Sequence, residues 1–321
     1  MTGQPTLKVR IGIGLGVHEM VHNRDDMRAI CRAAEDEGFD SLWFSDVTAS
    51  HALDPLTALG FVAAATERIK MGTSVLVVPG RQPAVLAKAL ATLDLLSGGR
   101  VLPILGLGTV HPDEQQAFAV RRGERAPWFE EAVPLLRRFW TEEKVVHHGQ
   151  RFTIDGFGIQ PRPGRPLPLW FGGAHPRELR RVGRLADGWL ASFTTPAEVA
   201  TGIASIDAAA VEHGRSIEDD HYGVLMLYSL RSPTARVRDF MAWRRPDLPL
   251  EAALPVGGAA LRARITEFIA AGASKFVLIP AERPRDWTSE LAELADQTLA
   301  LQTPARSDPP RRRPAATGSR P

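Results

Sequence analysis

Three clusters of residues have types and spacings that could do chemistry. The first is Asp46, two residues past the end of the apolar run Leu42-Trp43-Phe44, with His51 five residues on. A carboxylate at the end of a buried strand can serve as a general acid or base, and a nearby histidine can share that work. An aspartate there can equally be a turn or cap residue with no chemistry. The second is Thr109 and His111 after Gly106-Leu107-Gly108, with Glu114 three residues further. A loop imidazole such as His111 titrates near neutral pH and could move a proton. The third is Gly172-Gly173-Ala174-His175-Pro176, followed by Arg177, Arg180 and Arg181. It reads as a strand running into a helix, with Pro176 suited to the first helical turn. Backbone N–H groups at such a start, with the helix dipole behind them, favour a phosphate. No metal spacing is present: His147 and His148 are adjacent and cannot point the same way in an extended segment. There is no phosphate-loop run of the Gly-Lys-Ser/Thr kind and no Gly-x-Ser-x-Gly elbow.

The elements that must position these residues alternate. Strands are expected at 9–15, 41–45, 70–78, 101–107, 167–171, 188–192, 221–230 and 275–280, with helices at 22–37, 55–66, 83–96, 127–141, 176–185, 196–213, 258–271 and 284–301. The centre is 70–108, where a β-branched strand, a helix from Pro83 ended by Gly98-Gly99 and another apolar strand make a parallel βαβ unit. Eight such repeats predict an α/β fold, a (β/α)8 TIM barrel, as a single domain over 1–302. Polar excursions at 109–126 and 145–166 follow the fourth strand, and another at 231–255 follows the seventh. A doubly wound sheet is the rival, but no Gly-x-Gly-x-x-Gly opens the first helix. In a barrel the chemistry belongs at the C-terminal ends of the strands, where all three clusters lie.

The formal net charge is +2, and Arg306, Arg311, Arg312, Arg313 and Arg320 face only Asp308 in a Pro/Arg-rich tail at 303–321 that is expected to be disordered. The body is therefore nearly neutral and lacks the basic stripe of a nucleic-acid binder. One cysteine, Cys31, allows no internal disulfide, which fits a cytoplasmic protein. No apolar run approaches a membrane span, and no signal core opens the chain.

The chain resembles the bacterial luciferase-like flavin and deazaflavin oxidoreductases over roughly residues 8–302. The matching pieces are GTSVL at 72–76, the run PAVLAKALATLDLLSGGR at 83–100, GLGT at 106–109, GFDSLWFSD at 38–46, DPLTAL at 54–59, LPLWFGG at 167–173 and ADGWLAS at 186–192. The resemblance implies coenzyme F420, the deazaflavin, as cofactor, with FMN as the alternative. It implies that Asp46 lines the cofactor cleft, and that Ser74 and Val75 form a bulge with a non-prolyl cis bond behind the cofactor's central ring. It further implies that Thr109 borders the site and that Gly172, Gly173, Ala174 and Arg177 take the cofactor's phosphate. Two departures stand out. Val47 occupies the place where a histidine usually follows the aspartate, and His111 stands where the sugar-phosphate dehydrogenase branch has a glutamate proton donor. They make His111 the first candidate for proton transfer, with Asp46 shaping the site, and point away from that same sugar phosphate as substrate. The implied activity is hydride transfer between F420 and a small organic molecule by a homodimeric enzyme. The rivals are an FMNH2-dependent monooxygenase and a non-catalytic barrel.

Overall fold

The computed structural model describes residues 7–109 and 111–304. Of the tail expected at 303–321, residues 305–321 lie outside them, whereas Thr303 is ordered, its N–H donating to Val9 O at 3.1 Å and its hydroxyl accepting from Val9 N at 2.9 Å. Ten parallel strand segments make one sheet: β1 (Arg10–Leu15), β2 (Ser41–Phe44), β3 (Lys70–Thr73), β4 (Leu76–Val77), β5 (Val101–Leu102), β6 (Ile104–Gly106), β9 (Trp170–Gly172), β10 (Gly188–Ser192), β11 (Tyr222–Tyr228) and β12 (Lys275–Pro280). The order is β4-β6-β9-β10-β11-β12-β1-β2-β3-β5. The sheet is curled. The expected third strand is broken between β3 and β4 at Ser74-Val75, and the fourth between β5 and β6 at Pro103. The first halves pair with one another, β3 with β5, and so do the second halves, β4 with β6. Pro103 has no N–H for a ladder, which accounts for the second break.

Helices α1 (Arg24–Glu37), α2 (Pro55–Ala65), α3 (Pro83–Ser97), α6 (Pro176–Leu185), α7 (Pro196–Glu212), α10 (Gly258–Ala270) and α11 (Trp287–Thr298) follow strands as expected. Their starts are set by local chemistry. Asn23 caps α1 by accepting from the N–H groups of Asp25 and Asp26, and Asp54 caps α2 through Thr57 N. Gly38 and Gly98 end α1 and α3 in the left-handed conformation. The helices cover the outer face of the sheet with aliphatic side chains. A separate inner cluster of Trp43, Ile104, Trp170, Leu190, Leu225, Val277 and Ile279 fills the inside of the curl. Room for the Trp43 indole comes from Gly12 and Gly72, where a Cβ would approach its ring to 2.7 and 2.2 Å.

The stretch between β6 and β9 departs from expectation. It holds α4 (Pro112–Phe118) where only polar loop was expected, and α5 (Arg122–Thr141) starts well before Pro127. The interior prolines Pro127 and Pro134 each delete one helical bond, but Phe129, Ala132, Val133, Leu136 and Phe139 bury one face of α5 and hold it. An antiparallel hairpin follows, β7 (Val145–His148) with β8 (Thr153–Phe157). After β11 come α8 (Ala235–Arg244) and the single turn α9 (Leu250–Ala253).

Candidate active site

A cavity of about 760 Å³ opens at the C-terminal ends of the strands. Each strand exit contributes to it: Gly16 and His18 after β1, Ser45 to Val47 after β2, Ser74 and Val75 between β3 and β4, Gly106 to Thr109 after β6, Gly172 and Gly173 at β9, Ser192 and Phe193 after β10, Leu227 on β11 and Ile279 on β12. Phe240, Trp243 and Arg244 of α8 form one wall.

The floor is built around Val75. The Ser74–Val75 bond is cis. Phe44 O accepts from Ser74 N at 2.8 Å, Val75 O from Asp46 N at 3.2 Å, and Ser74 O from the Ser45 hydroxyl at 3.3 Å. Two glycines make room for the Val75 side chain. A Cβ on Gly106 would stand 2.4 Å from Val75 Cγ2, and one on Gly172 would stand 2.6 Å from Val75 Cγ1. Ser74 Oγ is buried with no hydrogen-bond partner among the described residues.

Asp46 is buried beside this floor. Its Oδ2 accepts from Val77 N at 2.9 Å and from Arg81 Nη2 at 2.9 Å, while Arg81 Nε donates to Val77 O. Burial pushes its carboxyl above the ordinary value, against the opposing pull of Arg81 and the Val77 N–H. The loop carrying Thr109 is fixed from behind by Arg125 of α5, which donates to the carbonyls of Leu107 and Thr109. Glu114 of α4 accepts from Ala49 N and so tethers the loop after β2. Both Glu114 and Arg125 are buried.

His111 stands elsewhere. It caps α4, its Nδ1 accepting from Asp113 N at 3.4 Å. Its side chain is 64% exposed and it is not among the residues lining the cavity. The histidine at the cavity is His18, an exit residue of β1 that the sequence reading passed over. Burial lowers its basicity first, with Arg236 and His51 adding to the effect and Glu282 opposing it, a balance that favours the neutral imidazole. His51 itself is exposed.

The glycine loop also differs from expectation. Gly172 and Gly173 line the cavity, whereas Ala174 and Arg177 do not. The N–H groups of Ala174 and His175 already donate to Glu178 Oε2, at 3.1 and 3.0 Å. His175 Nδ1 in turn accepts from Arg177 N at 3.2 Å, completing a reciprocal cap on α6. A carboxylate therefore occupies the anion position at this helix start. The sequence did hold the signal, a glutamate three residues after the cap residue. Two other cations line the cavity. Arg181 donates to Glu130 Oε1 at 2.9 Å and lies over the Phe129 ring. Arg244 stacks on Phe193 at 4.4 Å and has no carboxylate partner among the described residues.

Known proteins resemble this chain in both sequence and shape. An F420-dependent glucose-6-phosphate dehydrogenase of Kineococcus radiotolerans is 36% identical over 167 residues, covering 49% of this chain and 49% of that protein. One from Intrasporangium calvum is 31% identical over 234 residues, covering 68% and 70%. The chain matches about half the length of the first of these relatives. An F420-dependent secondary alcohol dehydrogenase, solved in complex with an F420-acetone adduct, superposes with a TM-score of 0.79 at 21% identity, over 92% of this chain and 100% of that one, a likeness of fold. The model of the family described as luciferase-like monooxygenase matches residues 7–307, and the chain belongs to that family.

Proposed function

We propose that this chain is an oxidoreductase that transfers a hydride between coenzyme F420 and a small organic substrate bound in the same cavity. The reading rests on the floor: Val75, seated between Gly106 and Gly172, presents an apolar surface inside a cavity of about 760 Å³, beside the unpartnered Ser74 Oγ. That cradle fits a flat ring system with polar edges. The relatives named as F420-dependent dehydrogenases support the choice of deazaflavin. When bound, F420 supplies or accepts the hydride at C5 of its ring, and the protein contributes orientation and a dry site.

The residues divide the work as follows. Val75, Gly172 and Gly173 hold the ring side, and Ser74 offers its hydroxyl. Asp46, braced by Arg81, shapes the wall and fixes Val77. For the phosphate, Arg181 fits better than the N–H groups of Ala174 and His175, which Glu178 has taken. His18 replaces His111 as the group to exchange a proton with the substrate, because it borders the cavity and its burial favours the neutral, proton-accepting form. Phe193, Phe240 and Trp243 cover the substrate end and exclude water.

The same reading takes residues 1–302 as one (β/α)8 domain with excursions after the fourth and seventh strands. No helix among the described residues is long and apolar enough to cross a membrane, and a cytoplasmic location is part of the proposal. So is a homodimer, supported by exposed Val85 and Leu96, eleven residues apart on α3. Light scattering of Leu96→Arg, expected to yield monomer, tests the homodimer.

The central test is calorimetric titration of cofactor-free protein with F420 and with FMN, repeated on Val75→Asp. Tight F420 binding that the charge in the floor abolishes supports the proposal. Binding of FMN alone overturns it in favour of an oxygen-consuming monooxygenase. Binding of neither overturns it in favour of a non-catalytic barrel.

A further inference from the structure

The opposite end of the curled sheet carries an unusual charge arrangement. Arg10, Lys70 and Lys275 are the first residues of β1, β3 and β12. Together with Lys8 they line a second cavity of about 130 Å³, roofed by Trp43 and Trp170. Arg10 and Lys275 are register partners on neighbouring strands, a like-charge pairing that is unfavourable by itself. All three strand residues converge on one carboxylate, Asp40: Arg10 Nε at 3.5 Å, Lys70 Nζ at 3.3 Å and Lys275 Nζ at 3.3 Å. Among the described residues, Asp220 is the one carboxylate lining this cavity. Four cations therefore face two carboxylates.

The donors are also left over. An ammonium has three N–H groups. Lys275, whose residue is 9% exposed, uses its ammonium on Asp40 alone among the described residues, and Lys8 makes no ion pair among them. Arg10 spends Nη1 on backbone carbonyls, and Trp43 Nε1 donates to Ser41 Oγ, so the indole N–H is not left for a ligand. Burial works against the charge on Asp40, yet Lys275, Lys70 and Arg10 hold its carboxyl below the ordinary range. Lys275 is itself held below its ordinary value by burial, with Lys70 and Arg10 opposing what Asp40 restores. One carboxylate does not neutralise its neighbours, and the surplus faces a small, partly apolar chamber where attraction to an anion is poorly screened.

We propose that this end of the sheet binds a small multivalent oxyanion of the phosphate or sulfate class, held by Lys8, Lys70 and Lys275. The site is separate from the cavity of the proposed reaction, since the two share no lining residue. The volume suits an inorganic oxyanion, and the open side admits the tail of a phosphate ester.

The test is thermal melting of the full chain against inorganic phosphate, with chloride adjusted to hold ionic strength constant. A bound anion raises the melting temperature in a saturable way. Lys70→Met and Lys8→Met, both at the solvent edge, are expected to shift half-saturation about tenfold to higher phosphate each, since each removes one charge-assisted contact. Arg244→Met, in the other cavity, is expected to leave the curve unchanged. Glycerol 3-phosphate in place of phosphate separates the sources. A curve at lower concentration assigns the site to an organic ester, and one at equal or higher concentration to the inorganic ion. A rise that never saturates, one equal in all variants, one lost in Arg244→Met, or no rise at all overturns the proposal.

Discussion

At the scale of single residues, the floor of the candidate active site is a packing problem solved by omission. Gly106 and Gly172 lack side chains so that Val75 can have one. Gly106→Ala forces a Cβ onto Val75 Cγ2, and overpacking of this kind costs about 1–3 kcal/mol. The expected outcome is a lower melting temperature and F420 binding weakened at least about tenfold by a displaced Val75. Adding Val75→Ala removes the obstructing methyls, so the double variant should recover most of the stability, and a double-mutant cycle reads that coupling. Glu178 poses the opposite case, an anion held where a phosphate was expected. Glu178→Gln keeps the shape and removes the charge. It should tighten binding of a phosphate-bearing cofactor in a titration while costing α6 about 1 kcal/mol of capping. Which residues line the cavity was only partly legible in the sequence. Asp46, Ser74, Val75, Thr109, Gly172 and Gly173 all reach the cavity, because strand exits converge in any curled parallel sheet. His111 fails to reach it because its ring is spent on the start of α4, a helix hidden within a run of polar residues. His18 is not legible in the sequence, because nothing in Gly16-Val17-His18 separates a cavity histidine from a surface one.

At the scale of elements, alternation and caps were readable from the residues, and interruptions were not. The β-branched run at 70–78 looks continuous by hydrophobicity and strand propensity, and its break at the cis Ser74–Val75 bond was legible only through the family resemblance. The helix at 122–141 looks shorter than it is because Pro127 suggests a start. One junction between elements makes a pH-dependent prediction. Glu35, near the end of α1, accepts from the N–H groups of Glu67, Arg68 and Ile69 just before β3. Burial works to raise its carboxyl, but those three donors hold it below the ordinary value. A depressed folded-state pKa contributes stability that is complete above the unfolded value and fades as pH falls through the folded one. Glu35→Gln should therefore melt lower at pH 7, by about 1–3 kcal/mol for hydrogen bonds to a charged acceptor. The gap from wild type should narrow through the acid range and close below the folded-state value, as a series of melts at decreasing pH would record.

At the scale of the whole molecule, the curled sheet has two mouths of opposite character. One is wide and ringed by strand exits and aromatic side chains, and the other is narrow and ringed by cations. The inner cluster, with Trp43 wholly buried within it, separates them. That partition has an optical consequence. Trp43 and Trp170 roof the narrow mouth, and Trp243, 75% exposed, lines the wide one. Buried indoles emit towards the blue and hydrated ones towards the red, so the two ends of the molecule carry reporters of different colour. An anion at the narrow mouth should perturb the blue edge of the emission band, and a substrate closing against α8 should deplete the red edge. Trp140, Trp189 and Trp287 are buried too and share the blue band, so the red edge is the signal that belongs to one residue, and Trp243→Phe would silence it and leave the blue.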